Sequence, residues 1–357
     1  MATDVAAARA GRRAVPDPVV AVVGATGLVG QTMLEVLAER RIPVRAIRAL
    51  ASARSAGTSL TVAGRTLRVE EATPTSFDGI DIALFSAGTD QSRLLAPAAV
   101  AAGCVVVDNS AAWRMDPTVP LVVSRVNEPD LEAHRGIVAN PNCSTMQLVP
   151  LLATLRDAVG LRRVIVDTYQ SVSGTGSEAV EELEDQVRAH AAGEPKRASV
   201  YPHPIAFNAI PEIDVFRPDG YTAEEWKVVA ESRKILHLPE LAVSCTAVRV
   251  PVFVGHSEAV HVETERPIGP AAARELFAAT PGVAVVDDPA AHRYPLATDM
   301  AGRDDVAVGR IRADASLPDG HGLAFWVVAD NLRRGAASNT VDLAEALVAR
   351  GLLLGGR

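Results

Sequence analysis

Residues 19–40 read VVAVVGATGLVGQTMLEVLAER, and this stretch decides the fold of the first half of the chain. The run Val19–Val23 is apolar and rich in β-branched residues, which is typical of a buried strand. Glycines at positions 24, 27 and 30 follow, and Gln31–Arg40 carries apolar residues at helical spacing. Small residues at such a turn let a pyrophosphate approach the backbone and the helix N-terminus. The stretch predicts a strand, a nucleotide-binding turn and a helix, although an ordinary tight turn is the alternative for the glycines alone.

Strands and helices alternate around this turn, which predicts an α/β domain with a Rossmann-type doubly wound parallel sheet. The further predicted elements of this domain are the strands Val44–Leu50, Asp81–Ser86 and Val105–Asp108 and the helix Ser92–Ala102. Beyond Arg163 several strands follow one another, which predicts an α+β domain with a mixed or antiparallel sheet. Its predicted elements are the strands Val164–Thr168, Cys245–Val254, Glu258–Glu265 and Leu323–Ala329 and the helices Glu178–His190 and Glu224–Leu236.

The length of 357 residues also favours two domains over one. We expect a disordered lead at 1–17, the nucleotide-binding domain at 18–141 and the second domain at 142–332. A final helix, Ala336–Arg350 within the segment 333–357, is expected to pack back on the first domain.

Composition narrows the class of function. Hydrophobic residues make up 48% and charged residues 22%, the balance of a soluble globular protein. The net charge of −8 argues against nucleic acid or an anionic membrane surface as a partner. The 3 cysteines do not suggest a disulfide framework, and neither a secretory signal nor an uninterrupted membrane-length apolar run is present. The expected location is therefore the cytoplasm.

The end of the second strand bears on the choice of nucleotide. NAD sites usually place an acidic residue here for the ribose 2′-hydroxyl. This chain instead reads Ala51-Ser52-Ala53-Arg54-Ser55, without an acid. A guanidinium flanked by hydroxyls suits a 2′-phosphate, so we expect NADP, with a solvated loop arginine as the alternative.

Cys143 is the candidate nucleophile. It stands in the segment NPNCST at 140–145, after the short strand Ile137–Ala139 and before helix-like sequence. A helix N-terminus favours the thiolate form of a cysteine, and its N–H groups can stabilise an oxyanion. Cys104 and Cys245 lie in apolar surroundings and are expected to be inert core residues.

Several segments together resemble the bacterial aspartate-semialdehyde dehydrogenases. They are GATGLVG at 24–30, SARSAG at 52–57, PNCST at 141–145, TYQSVSG at 168–174 and RVPVFVGHSEAV at 249–260. The resemblance implies NADPH-dependent reductive dephosphorylation of L-4-aspartyl phosphate to L-aspartate 4-semialdehyde through a cysteine thioester. It also implies a role in lysine (diaminopimelate), threonine, methionine and isoleucine biosynthesis. The second domain would carry catalysis and dimerisation, and its sheet would form the interface of a homodimer or homotetramer.

The same resemblance implies a role for individual residues. Cys143 would accept the acyl group, His256 would act as acid and base, and Gln170 would orient the acyl group. The family's cofactor contacts would fall on Gly24, Thr26, Gly27, Leu28, Val29, Gly30, Ser52, Arg54, Ser55, Ser173, Gly174 and Asn331. No metal is implied.

Four further residues would bind substrate. Arg249 would hold the α-carboxylate and Glu224 the amino group, while Lys227 and Arg114 would bind phosphate. Arg249 and His256 differ by an odd number of positions, so an unbroken strand would place them on opposite faces. Pro251 and Gly255 could break the strand and let both line one pocket, and a surface arginine is the alternative. Glu224 and Lys227 share a helix face, where a solvated ion pair is the alternative.

Three other functions are alternatives to this one. A reductase for N-acetylglutamyl phosphate is the nearest, but Glu224 argues against it because an acetylated amine carries no charge. A non-catalytic NADP-binding homologue is a second alternative, against which stand Cys143, His256 and Arg249. A plain soluble nucleotide-binding domain would require all the motif matches to be accidental.

Overall fold

The computed structural model describes residues 12–40 and 42–354. Residues 1–11 of the predicted lead, and residues 355–357 at the other end, lie outside the described part. The chain divides into two compact units. The first runs to Pro141 and resumes at Ala336, and the second is Asn142–Gly335. Each unit is described here by itself.

The strands of both units are, in chain order, β1 (Arg12–Arg13), β2 (Val19–Val23), β3 (Ala46–Ala51), β4 (Ser59–Val62), β5 (Arg65–Glu71), β6 (Ile82–Phe85), β7 (Val105–Asp108), β8 (Ile137–Ala139), β9 (Leu161–Gln170), β10 (Ala242–Arg249), β11 (His256–Thr264), β12 (Val283–Val285), β13 (Val306–Ala313), β14 (Gly322–Ala329) and β15 (Leu353–Leu354). The α-helices are α1 (Leu28–Arg40), α2 (Thr89–Ala101), α3 (Cys143–Val159), α4 (Ser177–Ala191), α5 (Ala223–Leu236), α6 (Pro270–Ala278), α7 (Ala297–Met300) and α8 (Asn339–Ala349). A π-helical turn at Arg333–Ser338 precedes α8.

The first unit is built on a seven-stranded sheet in the order β4-β5-β3-β2-β6-β7-β8. Its neighbouring strands are parallel except for the antiparallel pair β4 and β5. Strand β2 lies between β3 and β6, where the strand order changes direction. Doubly wound sheets bind ligands outside the carboxyl ends of the strands at such a point. The glycine turn therefore follows the strand best placed to present it.

Both faces of this sheet are covered, which explains why every residue of β2 is buried. Val20 and Val22 belong to one aliphatic core, together with residues of α1 and α8. Val19, Ala21 and Val23 belong to a second core with residues of α2. The division follows the two-residue period of a strand.

Two residues of the predicted lead, Arg12 and Arg13, lie in a strand. Arg12 and Arg13 form β1, which pairs antiparallel with Leu354 and Leu353 of β15. The Arg12 guanidinium also donates to the Glu132 carbonyl at 2.8 Å. These partners lie far away in the sequence, so local composition could not indicate them.

The second unit contains a six-stranded mixed sheet in the order β10-β9-β11-β14-β13-β12. Strands β9 and β10 are parallel, and β11 runs antiparallel to β9 and to β14. Helix α3 packs on β9, β11 and β14, and α5 packs on β10 and on α3. The predicted fold class, a doubly wound parallel sheet plus a domain with a mixed sheet, is thereby confirmed.

The register of this sheet brings three predicted site residues together at one end of neighbouring strands. Arg249 at the end of β10 is paired with Gln170 at the end of β9. His256 begins β11, where the next residue, Ser257, pairs with Tyr169. The predicted strand Cys245–Val254 is too long, because β10 ends at Arg249 and Pro251 lacks the N–H that a further ladder bond requires.

No helix within 12–40 or 42–354 is long and apolar enough to span a membrane.

Candidate active site

The glycine turn of the first unit is so tightly closed that a residue with a side chain cannot replace two of its glycines. Gly24 has a φ of 86°, and a Cβ there would lie 2.4 Å from the Ser86 carbonyl oxygen. A Cβ on Gly30 would lie 2.1 Å from the Gly24 carbonyl oxygen. Gly27 is less constrained, since the nearest atom to its added Cβ is 3.5 Å away. The turn therefore brings bare backbone to the N-terminus of α1, which begins with the predicted cofactor residues Leu28 and Val29.

The turn after β3 lies beside this glycine turn. Ser55 N–H donates to the Ser52 carbonyl at 2.9 Å, which closes the loop. The Ser55 hydroxyl is 3.5 Å from the Thr26 hydroxyl of the glycine turn. Ser52 and Arg54 are both exposed. A hydroxyl and an unburied guanidinium are thus available next to the turn, and no acidic side chain stands among them.

Arg114 belongs to the first unit and is held by backbone carbonyls. Its Nε donates to the Asn140 carbonyl at 2.9 Å and its Nη2 to the Asn109 carbonyl at 2.6 Å. The side chain is buried. These two bonds fix the plane of the guanidinium.

Cys143 is the first residue of α3 and is partly exposed. Asn142 caps the helix, because its Oδ1 accepts from Ser144 N–H at 2.9 Å and from Thr145 N–H at 3.4 Å. Cys104 and Cys245 are buried, and burial raises the pKa of the Cys104 thiol to about 12. Burial also raises the pKa of Cys245, so both remain protonated. Among the cysteines, only Cys143 stands at a capped helix N-terminus.

Glu224 is the centre of a charged network in the second unit. Its Oε1 accepts from Asn142 Nδ2 at 2.8 Å and from Gln170 Nε2 at 3.2 Å, and its Oε2 accepts from Lys227 Nζ at 3.0 Å. Burial alone would raise its pKa, but the Lys227 charge and these hydrogen bonds outweigh burial and lower the pKa to about 2. Glu224 is therefore an anion that ties the helix cap beside the cysteine to the end of β9.

Lys227 is paired with two acids. Its Nζ donates to Asp214 at 2.7 Å as well as to Glu224. Burial lowers its pKa, but the charge of Glu224 and the bond to Asp214 outweigh burial and raise the pKa. An ammonium has three N–H donors, so one remains for a ligand. The pair is partly buried and belongs to a network, which differs from the solvated pair that was the alternative.

His256 and Arg249 approach the same point in the second unit. A Cβ added to Gly174 would lie 3.1 Å from both Arg249 Nη1 and His256 Cε1. Arg249 Nη1 donates to the Ser171 carbonyl at 2.7 Å. Burial and the Arg249 charge lower the pKa of His256 to about 3, so the ring is neutral. The break between β10 and β11 is what brings the two residues together, and Arg249 is not the surface residue that was the alternative.

Asn331 joins the segments around His256. Its Oδ1 accepts from Gly255 N–H at 2.8 Å and from the hydroxyls of Ser171 and Ser173 at 2.9 and 3.2 Å. Its Nδ2 donates to the Ser173 hydroxyl at 3.0 Å. Asn331 is buried, so its amide holds the loop after β9 against the start of β11.

Three residues of this arrangement were not predicted from the sequence. Asn142 could have been found, because asparagine before a helix is a preferred N-cap. Ser171 acts through its peptide N–H, which almost any residue supplies, so it had no signal. Gly335 lies in the π-helical turn, and a Cβ there would be 2.9 Å from the Cys143 Cβ. That contact is visible only in three dimensions.

No cluster of metal-ligating side chains occurs in the portion of the chain that the structure describes.

Known proteins share both units of this chain. The family model for the NAD-binding domain of semialdehyde dehydrogenases matches residues 19–134, and the model for their dimerisation domain matches residues 152–334. The aspartate-semialdehyde dehydrogenase of Aquifex aeolicus is 52% identical over 338 residues, which are 94% of this chain and 99% of that protein. The Bacillus subtilis enzyme of the same name is 50% identical, over 92% of this chain and 96% of its own length.

A solved structure agrees with these relatives. Aspartate semialdehyde dehydrogenase II from Vibrio cholerae, complexed with ASA, is 45% identical with a TM-score of 0.90 and covers 94% of this chain and 99% of its own. The resemblance stated from the sequence motifs is confirmed by relatives that match along most of the chain. The chain therefore belongs to the aspartate-semialdehyde dehydrogenase family of oxidoreductases, with the NAD-binding and dimerisation domains of that family.

Proposed function

We propose that this protein catalyses the reductive dephosphorylation of L-4-aspartyl phosphate to L-aspartate 4-semialdehyde with NADPH, through a thioester on Cys143. The observation that carries the proposal is the position of Cys143 at a capped helix N-terminus in a chain of this family. The same unit holds Gln170, Arg249 and His256 at one end of three neighbouring strands. The product would enter the synthesis of lysine, threonine, methionine and isoleucine.

The chemistry follows from the thiolate. Cys143 Sγ attacks the acyl carbon, the C–O bond to phosphate breaks, and phosphate leaves with the bonding electrons. The N–H groups at the start of α3 can stabilise the oxyanion that forms on the acyl oxygen. When bound, NADPH supplies the hydride that reduces the thioester carbon. The resulting thiohemiacetal anion on Cys143 collapses to the aldehyde and restores the thiolate.

Substrate recognition is assigned to four charged groups and one amide. Arg249 would bind the α-carboxylate in a bidentate manner, because its Nε is buried and has no partner among residues 12–40 and 42–354. Glu224, an anion at neutral pH, would accept a hydrogen bond from the substrate ammonium. The remaining N–H of Lys227 and the fixed guanidinium of Arg114 would bind phosphate, and Gln170 would orient the acyl group.

The first unit fits the proposed cofactor. The turn Gly24–Gly30 is a cradle that a Cβ at either end would fill, as a site for a pyrophosphate requires. Thr26, Ser52, Arg54 and Ser55 would hold the 2′-phosphate side, which favours NADP over NAD. The family resemblance assigns Ser173, Gly174 and Asn331 to the nicotinamide end of the cofactor.

Oligomerisation is supported by the dimerisation-domain match. Tyr169 and Trp326 form an aromatic pair with centroids 5.4 Å apart, and Tyr169 is 38% exposed on the mixed sheet. We assign this face to the interface of a homodimer or homotetramer, since exposed aromatics are enriched at interfaces. The cytoplasmic location stays a prediction from the sequence.

The decisive assay is phosphate-dependent reduction of NADP⁺ by L-aspartate 4-semialdehyde, followed at the nicotinamide absorbance. Wild type should be active and Cys143→Ser should lose nearly all activity while still binding NADPH. Cys104→Ala is the matched control and should keep its activity, because Cys104 is buried in the first unit. An inactive wild type that binds NADPH would indicate a non-catalytic homologue. Preference for an N-acetylated substrate would overturn the assignment of Glu224.

A further inference from the structure

Tyr201 stands in a loop that α4 holds in place from one side. Glu182 is a buried residue of α4, and its carboxylate accepts from the peptide N–H groups of Ser199 and Val200, each at 2.6 Å. Burial alone would raise the pKa of Glu182, but these hydrogen bonds outweigh burial and lower the pKa. The acid is therefore an anion bound to the backbone that leads into Tyr201, which fixes the start of the loop.

The other end of the same loop is paired with Arg249. Ile210 N–H donates to the Arg249 carbonyl at 2.9 Å, and Arg249 N–H donates to the Ile210 carbonyl at 2.8 Å. Ile210 is buried in a small apolar core that also contains Val172, and Tyr201 packs against this core. Because the loop is held at both ends, its position relative to Arg249 is fixed.

The ring of Tyr201 faces the guanidinium of Arg249. Arg249 Cζ lies over the ring, 6.0 Å from its centroid, which is at the outer limit of cation–π attraction. Arg249 is buried, and attraction between a cation and an aromatic face is larger away from water. Burial also raises the pKa of the Tyr201 phenol, so the ring that faces the cation stays neutral at physiological pH.

The hydrogen bonds of Arg249 leave part of its guanidinium without a protein partner. Nη1 donates to the Ser171 carbonyl at 2.7 Å. Nε is buried and has no partner among residues 12–40 and 42–354. A guanidinium that keeps a donor for a ligand needs another contact to hold it still, and an aromatic face supplies one without using a donor.

The hydroxyl of Tyr201 is tied to the turn that follows β9. It lies 2.8 Å from the Thr175 hydroxyl. Thr175 N–H donates to the Val172 carbonyl at 2.9 Å, which closes this turn. Thr175 follows Gly174, whose added Cβ would lie 3.1 Å from Arg249 Nη1. The ring of Tyr201 is thus attached to the same turn that borders the guanidinium.

We infer that Tyr201 is a positioning residue of the substrate site: its ring holds the Arg249 guanidinium in place for the α-carboxylate, and its bond to Thr175 holds the ring. The inference rests on the proposed function, in which Arg249 binds that carboxylate. Tyr201 acts only through Arg249 and takes no part in bond making or breaking. Its loss should therefore weaken binding of the semialdehyde and leave phosphate binding, assigned to Lys227 and Arg114, unchanged.

Steady-state kinetics of the full-length protein tests this role. Tyr201→Leu should raise the KM for L-aspartate 4-semialdehyde by about five- to thirtyfold, the effect of losing one cation–π contact. Both kcat and the KM for phosphate should stay within about twofold of wild type, because only uniform binding of the semialdehyde is lost. Tyr201→Phe and Thr175→Val remove the same hydrogen bond and keep the ring or its contact partner. Each should raise the KM less than Tyr201→Leu does, and the double variant no more than either alone.

Phe207→Leu is the matched control, because it also replaces an aromatic side chain of this loop by leucine but at an exposed position. It should leave the KM for the semialdehyde unchanged. An unchanged KM in Tyr201→Leu, or an equal rise in the KM for phosphate, would overturn the inference.

NMR of ¹⁵N-labelled arginine gives a readout that does not depend on activity, so a failure of the proposed function is told apart from a failure of this inference. The ring face should shift the Nε–H signal of Arg249 upfield, and comparison with Arg249→Lys identifies that signal. Tyr201→Leu should abolish the shift and Tyr201→Phe should keep it. Thr175→Val changes an exposed side chain and should move the same signal, so the test stands even if Tyr201→Leu fails to fold. An Arg249 signal that is identical in wild type and both variants would refute the contact.

Discussion

Gly335 should be a position where one added methyl group harms catalysis as well as stability. Its Cβ would lie 2.9 Å from the Cys143 Cβ and 3.4 Å from the Cys143 Cα. Gly335 does not have a positive φ, so alanine meets no backbone penalty there. The whole effect of Gly335→Ala must therefore come through this contact.

The size of the effect can be worked from the overlap. Non-bonded carbons prefer separations of about 3.5–4.0 Å, so the two Cβ atoms must move apart by at least about 0.6 Å. A misplacement of about 1 Å costs on the order of 10²-fold in rate, and the smaller shift corresponds to about tenfold in kcat. Overpacking should also lower the free energy of unfolding by about 1–3 kcal/mol.

The assay is kcat for phosphate-dependent NADP⁺ reduction, combined with the rate at which iodoacetamide alkylates Cys143. Gly269→Ala is the matched control, because no atom lies within 4 Å of its added Cβ and its φ is −86°. We expect Gly335→Ala to lose about tenfold in kcat with little change in the KM for the semialdehyde. A kcat within about twofold of wild type, with a lowered melting temperature, would show that Gly335 supports packing and does not position the nucleophile.

Three other changes test separate parts of the structure. Gly30→Ala should abolish NADPH binding and lower the free energy of unfolding by about 3 kcal/mol or more, since its Cβ meets a carbonyl oxygen at 2.1 Å; tight binding measured by fluorescence titration would contradict this. Gly174→Ala should lower kcat/KM for the semialdehyde at least about tenfold, because the added Cβ fills the space beside Arg249 and His256; a kcat/KM equal to that of wild type would contradict this. Burial raises the pKa of Glu258 well above its ordinary value of 4.5, so its contribution to stability is present below that value and is lost as pH rises toward the folded-state pKa. Glu258→Gln should remove this pH dependence and be the more stable protein at about pH 8 in urea unfolding, and equal slopes in both proteins would refute the assignment.

Local patterns predicted the elements that depend on neighbouring residues. The strand, glycine turn and helix of residues 19–40 are present, although α1 begins at Leu28 and not at Gln31. The hairpin of β4 and β5 was not predicted, because most of its residues are exposed and polar and give no apolar alternation. Strand β13 was missed as well. Gly309 and Arg310, whose φ is 54°, interrupt its pattern where the register with β14 shifts.

The site was predictable as a set of chemical groups but not as a network. The motifs singled out Cys143 and Glu224 by sequence resemblance. Neither spacing nor composition indicates that Asn142 and Gln170 both donate to Glu224, since these residues come from different elements. The Nδ1 atom of His256 accepts from the Ser171 peptide N–H, and peptide groups are identical in any sequence. Tertiary hydrogen bonds of this kind are outside the reach of a local pattern.

The interrupted chain path of the first unit has a consequence for synthesis on the ribosome. Val341 and Leu347 of α8 share one aliphatic core with Val20 and Val22 of the central strand. The nascent chain must therefore complete the entire intervening unit, Asn142–Gly335, before the residues that close this core emerge. During that interval the aliphatic face that α8 will cover is open to water and to other nascent chains, so a chaperone that shields it would raise the yield of folded protein.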